Sequence, residues 1–426
     1  MKTYMNDLKE MRSYLLLWFT QTVSGLGSAM TAYALVIWSY TQAGSALRTA
    51  LLMVCSYAPY VVCSIFAGAL SDRWDKKKTM LACDALAAIS TLIVLTLLKN
   101  DALRIWHLYI VNAVSGLMNT FQQPASEVAT TALLKREYYQ KVGGLRYLSN
   151  SLNSILTPII TTAIMGLWGI HVVIAIDLIS FAVAFAVLLL FIPIPKTEPK
   201  DTKESILQSA AEGVRWLKRN PGIFHLMLFL AGINLVASMF NATLPAMILS
   251  KASETALGTV NSVTGIAMLA GSLLASFLPV PKSRVKAIWC CLMLSMCTEN
   301  FCLAFGSNVW VWCFGATLGW IALPWMSANL EAVNRLNIPM EIQGRVYAAR
   351  NSFQFFTIPV GYFLGGVLVD RVFEPIMARQ TEELPVRLFG AGKGSGAAFL
   401  FAVLWLTGIL VCLIFRADRH IWKLEE

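Results

Sequence analysis

The chain has 426 residues, of which 57% are hydrophobic and 14% charged, and its formal net charge is +10. These proportions exclude an ordinary soluble domain, where roughly 25% of residues are charged. Uncharged runs such as 13–47 and 49–70 exceed the about 20 apolar residues that a helix needs to cross a bilayer. The sequence therefore predicts an all-α membrane protein. It excludes a membrane β-barrel, because no stretch alternates with a period of two.

Twelve apolar runs follow one another along the chain and predict twelve transmembrane helices. We interpret the first as an uncleaved helix and not a signal peptide, because the run is too long and its leading residues mix basic and acidic side chains. The predicted spans are Ser13–Tyr40, Leu47–Leu70, Thr79–Leu98, Trp106–Leu133, Tyr147–Leu167, Val172–Ile194, Ile223–Ser250, Leu257–Val280, Ala287–Gly306, Val309–Leu330, Tyr347–Val369 and Ala397–Phe415.

The basic residues predict the orientation of these spans. Of the 34 lysines and arginines, 26 fall on the side of the membrane that holds both termini. Basic loops stay in the cytoplasm, so we expect a multi-pass protein of the cell membrane with both termini inside. The same rule, together with anionic lipid headgroups, accounts for the net positive charge and makes nucleic acid an unnecessary partner.

The reactive residue types form no recognisable catalytic or metal site. All nine cysteines fall inside predicted spans, without a CxxC pair or a histidine at zinc spacing, and the four histidines are scattered. The sequence contains neither a phosphate-binding loop nor a Ser/His/Asp grouping. We therefore expect no metal, no cofactor, no enzymatic activity and no ATP-driven pumping by this chain.

The chain repeats itself with an offset of about 200 residues. Pro124 in the fourth span matches Pro324 in the tenth, and Pro158 in the fifth matches Pro359 in the eleventh. These matches predict two parallel six-helix halves, residues 1–194 and 223–426. The linker 195–222 between them contains an amphipathic stretch that we expect to lie along the cytoplasmic membrane surface.

A dense group of charges separates the second and third spans. The seven residues Asp72 to Lys78 hold six charges. They are either a positive loop that only orients the chain, or a latch that forms a contact in one conformation. Orientation alone requires neither the acidic Asp72 nor a glycine at position 68, and this favours the latch.

This loop resembles the Gly-x-Leu-x-Asp-Arg-x-x-basic motif of the major facilitator superfamily, and the resemblance covers the whole chain. Asp75 departs from it, because the family usually has glycine there. Within the family, the stretch Gly344 to Pro375 resembles the macrolide-efflux and enterobactin-exporter branch and members found beside peptide-synthetase genes. The residues that match the motif are Gly68, Leu70, Asp72, Arg73 and Lys76 with Lys77.

The predicted latch has a simple electrostatic basis. Asp72 lies at a helix end, where the roughly +0.5 charge at the start of a neighbouring helix would attract it. The repeat makes that neighbour the eleventh span, which begins at Gly344 and Arg345. The resemblance implies the same contact in the outward-facing state. Lys76 then needs a partner of its own, and Glu127 is the best-placed candidate.

The resemblance also implies that the first, fourth, seventh and tenth spans surround a central cavity. Each carries polar residues at spacings of three and four, which places them on one face of a helix. Such stripes also join helices through hydrogen bonds, but their presence on all four expected spans favours a weakly polar substrate chamber. The predicted lining is Gln21, Ser24, Ser28 and Thr31, then Asn112, Ser115, Asn119 and Gln122, then Asn234, Ser238 and Asn241, and finally Thr317 and Trp320.

Charged residues inside spans are the usual pointers to function in membrane proteins. Glu127 and Glu331 lie near the inner ends of the fourth and tenth spans, and Arg350 on the eleventh could pair with either. These three are the candidates for proton coupling or charge pairing. For the carboxylates on the spans that the family packs at the periphery we expect structural pairing, without a definite role for the last: Asp84, Asp177 and Glu299.

These features together predict a monomeric secondary active transporter that works by alternating access. The expected activity is proton-driven export of an amphipathic organic compound, such as a siderophore, a peptide-type metabolite or a macrolide-like drug. Uptake of a small organic solute and ligand sensing without transport stay open as alternatives. The intact loop motif counts against the sensor, because a static receptor needs no latch.

Overall fold

A computed structural model describes residues 11–133, 139–194, 206–339, 346, 349–350, 353–380 and 383–425. All regular structure within these ranges is helical. The first six helices are α1 (Arg12–Ala43), α2 (Ala46–Arg73), α3 (Lys76–Lys99), α4 (Ile105–Leu133), α5 (Tyr139–Trp168) and α6 (Ile170–Phe191).

The later helices include one short amphipathic segment and several long apolar ones. The helix α7 (Ile206–Arg219) coincides with the amphipathic part of the predicted linker. After it come α8 (Pro221–Lys251), α9 (Glu254–Phe277), α10 (Arg284–Phe305), α11 (Val309–Ile321), α12 (Leu323–Asn337), α13 (Thr357–Val367), a π-helical turn (Leu368–Phe373), α14 (Glu374–Ala378), α15 (Glu383–Phe389), α16 (Ser395–Arg416), α17 (Arg419–Trp422) and a 3₁₀ turn (Lys423–Glu425).

Ten helices of the described residues are long and apolar enough to cross a membrane. The helices α1 and α4, of 32 and 29 residues, are equally long but do not reach the same apolarity. Both carry a polar stripe, and amide and hydroxyl side chains lower the mean hydropathy of a span. The sequence prediction of an all-α membrane protein is confirmed, whereas the count of twelve spans stays a prediction.

The chain divides into two compact units. One comprises Met1–Val36 and Cys55–Lys203, and the other comprises Ile37–Val54 and Glu204–Glu426. In the first unit a buried apolar cluster joins α1, α3, α4 and α6 through Leu17, Met80, Ala125, Ala129, Leu188 and Ile192. In the second, the start of α2 packs on α8 and α13 through Ala50, Ala242 and Tyr362. The end of α1 and the start of α2 therefore belong with the second unit.

Two glycines permit close helix crossings, one in each unit. A Cβ atom on Gly116 of α4 would lie 2.0 Å from the Ser56 carbonyl oxygen of α2. A Cβ atom on Gly271 of α9 would lie 2.0 Å from the Ile321 carbonyl oxygen at the end of α11. Only glycine allows a backbone approach as close as this.

A one-residue turn at Ala322, whose backbone stays in the right-handed helical region, divides the predicted tenth span into α11 and α12. The break has a local cause, because Pro324 lacks the N–H that would bind the Trp320 carbonyl oxygen in an uninterrupted helix. The proline that helped to reveal the sequence repeat thus marks a discontinuity. The fourth span also contains a proline, Pro124, but forms one continuous helix.

The protein ends in a short helix that docks on α8. Asp418 accepts a hydrogen bond from the His420 N–H, which starts α17, and its Oδ2 lies 2.5 Å from His225 Nδ1 on α8. Burial would raise the pKa of Asp418, but the hydrogen bonds and charges of His225 and His420 outweigh it and hold that pKa below its ordinary value. The ionised Asp418 carboxylate anchors the end of the chain.

The close crossings predict a strong effect of adding one methyl group. We expect Gly116→Ala and Gly271→Ala each to lower the melting temperature of the detergent-purified protein by several degrees, since overpacking costs roughly 1–3 kcal/mol. Gly166→Ala is the matched control, because nothing lies within 4 Å of its added Cβ atom. Equal melting temperatures for all three variants would show that these crossings do not constrain the fold.

Candidate functional site

Two residues of the predicted substrate lining meet at a buried carboxylate. Asp84 on α3 is 9% exposed, and its Oδ1 accepts a 2.5 Å hydrogen bond from Gln122 Nε2 of α4. Gln21 Nε2 of α1 lies 3.5 Å from the other oxygen, at the outer limit for a hydrogen bond. The structural pairing expected for Asp84 is therefore observed, and it uses two amides that the sequence assigned to the cavity.

A second buried carboxylate, Asp177, accepts a hydrogen bond from another residue of the α1 stripe. Ser28 Oγ donates a 2.9 Å hydrogen bond to Asp177 Oδ1 on α6. Ser24 and Thr31 of the same stripe are buried. This side of α1 therefore joins helices within its unit, as polar side chains in membrane spans often do.

The remaining lining candidates differ in how much of each side chain is available. Asn119 of α4 and Asn241 of α8 are exposed. Four others donate hydrogen bonds to backbone carbonyl oxygens. Asn112 donates to Leu108 and Asn234 to Gln354, while Ser238 donates to Asn234 and Thr317 to Cys313. Ser115 and Trp320 are half-buried. Asn119 and Asn241 are thus the most exposed of the predicted lining residues.

The structure describes the side chains of two of the three charged candidates for coupling. Glu331 and Arg350 are half-buried, and neither is without a partner. The side chain of Glu127 lies outside the described residues. The suggested pairing of Arg350 with a carboxylate stays a prediction.

The described part of the charged loop has local structural roles. Asp75, the departure from the family motif, accepts a 2.9 Å hydrogen bond from the Lys78 N–H and thereby caps α3. Ser283 caps α10 in the same way through the Lys286 N–H. Asp75 and Ser283 therefore each have a local structural role, at the start of α3 and of α10.

The lysines that follow Asp75 also bind backbone carbonyls. Lys77 Nζ donates to the carbonyl oxygens of Leu189 and Ile192, at the end of α6, where a positive charge is favourable. Lys76 is buried, and its Nζ donates to the Trp74 carbonyl oxygen. The other members of the predicted latch lie outside the described residues or side chains: Gly68, Leu70, Asp72, Arg73, Gly344 and Arg345.

A helix-end contact that the sequence analysis missed lies at the opposite end of α2. Asp370, in the π-helical turn, accepts three hydrogen bonds: from Ser45 Oγ at 2.5 Å, from the Ala46 N–H at 3.0 Å and from the Leu47 N–H at 2.9 Å. Ser45 Oγ also accepts a hydrogen bond from the Arg48 N–H. The Asp370 carboxylate thus caps the start of α2, and we call this contact the Asp370 cap.

Neighbouring contacts of the second unit surround the Asp370 cap. Tyr40 Oη and Ser250 Oγ lie 2.5 Å apart, which ties the end of α1 to the end of α8. Glu374, one turn after Asp370, accepts a 2.8 Å hydrogen bond from the Gly394 N–H and holds the start of α16. The sequence analysis missed this network because it ended the eleventh span at Val369, one residue before Asp370.

A family profile described as the Major Facilitator Superfamily matches residues 17–278. The chain belongs to this superfamily. It is accordingly a multi-pass membrane transporter and not an enzyme. The match confirms the resemblance drawn from the charged loop and the internal repeat.

Relatives within the superfamily include two efflux proteins. Macrolide efflux protein A of Streptococcus pyogenes is 25% identical over 365 residues, which cover 84% of this chain and 89% of the relative. The multidrug efflux pump Tap of Mycolicibacterium fortuitum is 22% identical over 372 residues, with the same two shares. The crystal structure of the nucleoside transporter NupG matches with a TM-score of 0.71 at 12% identity, over 96% of this chain and 100% of that one. This last match shows the shared fold.

The Asp370 cap predicts a measurable change at the start of α2. Thr49→Cys provides a reporter thiol, because Thr49 is 4% exposed and lies in the first turn of that helix. A charge at a helix end contributes up to about 2 kcal/mol when partly buried. We therefore expect Asp370→Asn to increase alkylation of the reporter several-fold, as measured by mass spectrometry.

Glu374→Gln is the matched control for this prediction. It removes a carboxylate one turn away that holds α16 and not α2. Alkylation of the reporter should stay at the level of the parent protein. Equal reactivity in the Asp370 and Glu374 variants would show that the cap does not hold the start of α2.

Proposed function

We propose that this transporter exports an amphipathic organic compound across the cell membrane and is driven by proton entry. The observation that supports export is the similarity to macrolide and multidrug efflux proteins over 84% of the chain. The amide and hydroxyl side chains of the predicted lining suit a large ligand with few formal charges. Macrolide-like drugs, siderophores and peptide-type metabolites share this chemistry.

The proposal includes the topology predicted from the sequence. Twelve spans form two parallel six-helix halves, and the linker 195–222 and both termini lie in the cytoplasm. The concentration of 26 of the 34 basic residues on one side supports this orientation. The transporter acts as a monomer, with the lipid bilayer, protons and the substrate as its partners.

We also propose that α2 and the eleventh span control access through two reciprocal caps. At one end of α2, Asp370, directly after the predicted eleventh span, binds the start of α2. At the other end, we expect Asp72 of α2 to bind the start of the eleventh span. Each cap stabilises one conformation, so alternating access exchanges one cap for the other.

This arrangement favours transport over the alternative of a static ligand sensor. A sensor needs no pair of caps at opposite ends of the same helices. Uptake differs from export only in direction, and the efflux relatives favour export. The direction is therefore the first property to test.

Export predicts lower accumulation of substrate in cells that contain the protein. Radiolabelled erythromycin, a macrolide, serves as the first probe, with a siderophore and a cyclic peptide as further probes. We expect lower steady-state accumulation of at least one probe in expressing cells, and loss of that difference after a protonophore collapses the proton gradient. Higher accumulation in expressing cells would indicate uptake and overturn the proposal.

The two exposed asparagines provide a test of the lining. Asn119→Leu and Asn241→Leu should change the relative export of the probes while the amount of protein in the membrane stays the same. Asn112→Leu is the comparison, because its amide is already bound to the Leu108 carbonyl oxygen. We expect a smaller change from it. Identical probe preferences in all three variants would assign these stripes to helix packing.

The proposed cap at Asp72 predicts a shift between conformations. Asp72→Asn removes the charge at nearly constant shape, and the loss of up to about 2 kcal/mol changes the ratio of states by up to about thirty-fold. Export should fall, and a thiol introduced by Ser126→Cys should become more reactive as the inner side opens. Asp75→Ser is the matched control, because serine also caps helices.

Full export by Asp72→Asn, with unchanged reactivity of the reporter thiol, would reduce the charged loop to an orientation signal. If Asp75→Ser behaved like Asp72→Asn, the effect would come from the loop's local fold and not from a cap on the eleventh span.

A further inference from the structure

Three carboxylates of the described spans are nine-tenths or more buried, and one of them differs from the others. Asp84 and Asp177 accept hydrogen bonds from neutral side chains of neighbouring helices. Glu299 on α10 is 5% exposed, and no residue of the described part of the structure forms an ion pair with it. An ionised carboxylate in a membrane interior normally needs such partners.

Glu299 is tightly packed against the backbone of α11. A Cβ atom on Gly319 of α11 would lie 3.0 Å from Glu299 Oε2 and 2.9 Å from its Cβ. A Cβ atom on Gly315, one turn earlier, would lie 3.4 Å from the Glu299 Cα. The two glycines bring α11 against the carboxyl group.

Among the described side chains on the helices that pack against α10, none forms an ion pair with Glu299. Cys302 on α10 itself interacts with Glu299 electrostatically. Arg416 of α16 lies 4.8 Å from the ring of Trp289, and Trp289 is ten residues, or about 15 Å along α10, from Glu299. The side chains of Arg335, Glu383 and Glu425 lie outside the described part of the structure. The other such groups on α11, α12, α15, α16 and the 3₁₀ turn are Cys313, Glu331, Arg387, Cys412 and Lys423, and the described residues give none of these a contact with Glu299.

Trp320 connects this carboxyl group with the predicted substrate path. The residue is half-buried as a whole, but its Nε1 atom is fully buried. The indole N–H lies near the Glu299 carboxyl group but forms no hydrogen bond with any described residue. One side of the indole therefore faces Glu299, while the ring belongs to the stripe assigned to the substrate.

The same tryptophan lies at the break in the tenth span. Pro324 leaves the Trp320 carbonyl oxygen without its usual helical donor, and α11 ends at Ile321. Discontinuous helices in transporters commonly form the sites that bind substrate and coupling ions. Trp320 lies at such a discontinuity, and a movement of its ring would shift the N–H that lies near Glu299.

We propose that Glu299 is the residue that binds and releases the coupled proton, and that Trp320 transmits this change to the substrate. The inference rests on the proposed proton-driven export. A proton from the outer side adds to a carboxylate oxygen of Glu299, which becomes neutral. It leaves to the inner side when the indole N–H turns toward the carboxylate and stabilises its negative charge. Only a proton is transferred, and no other bond changes.

Chemical labelling tests the proton site without any knowledge of the substrate. Dicyclohexylcarbodiimide is an apolar reagent that modifies protonated carboxyl groups. We treat the full chain in membranes between pH 5 and 9, digest it and quantify the modified peptides by mass spectrometry. We expect modification of Glu299 that decreases as the pH rises and exceeds that of Asp84 and Asp177, which serve as internal controls.

Trp320→Phe keeps an aromatic ring but removes the N–H donor. Because that donor stabilises the ionised form, its loss should extend labelling of Glu299 to higher pH. Labelling that is absent at every pH, or no greater than at Asp84 and Asp177, would overturn the proton site. An unchanged pH profile in Trp320→Phe would overturn the role of the tryptophan.

Transport measurements then separate this inference from the proposed function. In proteoliposomes, Glu299→Gln should lose erythromycin movement driven by a pH gradient but keep exchange of labelled for unlabelled erythromycin. Asp177→Asn is the control and should keep both activities. Gradient-driven transport by Glu299→Gln at the wild-type rate would overturn the inference. If the wild type moves none of the probes, the proposed function fails, whereas the labelling result still decides whether Glu299 binds a proton.

Discussion

A polar group within a membrane-spanning segment must find its partners inside the protein, and the described structure follows from that constraint. Asp84 and Asp177 lie among amides and hydroxyls from neighbouring helices. Asp370 and Glu374 receive the free N–H groups at the starts of α2 and α16. Each carboxylate thereby joins two or three helices. Glu299 departs from this rule, because no described residue forms an ion pair with it and it packs against the backbone of α11.

The helix-end caps join the π-helical turn to α2 through Asp370, and α14 to α16 through Glu374. A carboxylate that receives two or three N–H donors is held firmly while the geometry is intact, but each contact is lost when one helix end shifts by a few ångströms. Contacts of this kind favour discrete conformations over continuous deformation. The π-helical turn that carries Asp370 is a further indication of a functional site, since such turns are frequent there.

Glycine and proline determine where these helices approach and where they break. Gly116 and Gly271 permit crossings at backbone contact. Pro324 interrupts the tenth span, while Pro124, its counterpart in the repeat, is accommodated within α4. The two halves of the sequence are therefore similar in pattern, but the corresponding helices differ in continuity. The interrupted helix is the one that packs against the buried Glu299 carboxyl group.

The sequence by itself determined the membrane environment, the all-helical class and the family. Apolar run length, the bias of basic residues and the loop from Gly68 to Lys77 are local properties that need no knowledge of packing. The approximate positions of the helices also follow, because each span is a long and mostly apolar run.

Only the tertiary structure decided which polar residues pair with each other. Gln21 and Gln122 lie on different helices and both reach Asp84, and no pattern within one helix predicts that meeting. The same holds for Ser45 with Asp370, which are 325 residues apart. Helical periodicity assigns residues to a face, but the rotation of that face toward a cavity or a neighbouring helix depends on how all the helices pack. The polar stripes are therefore visible in the sequence, and their division between structural and substrate contacts is not.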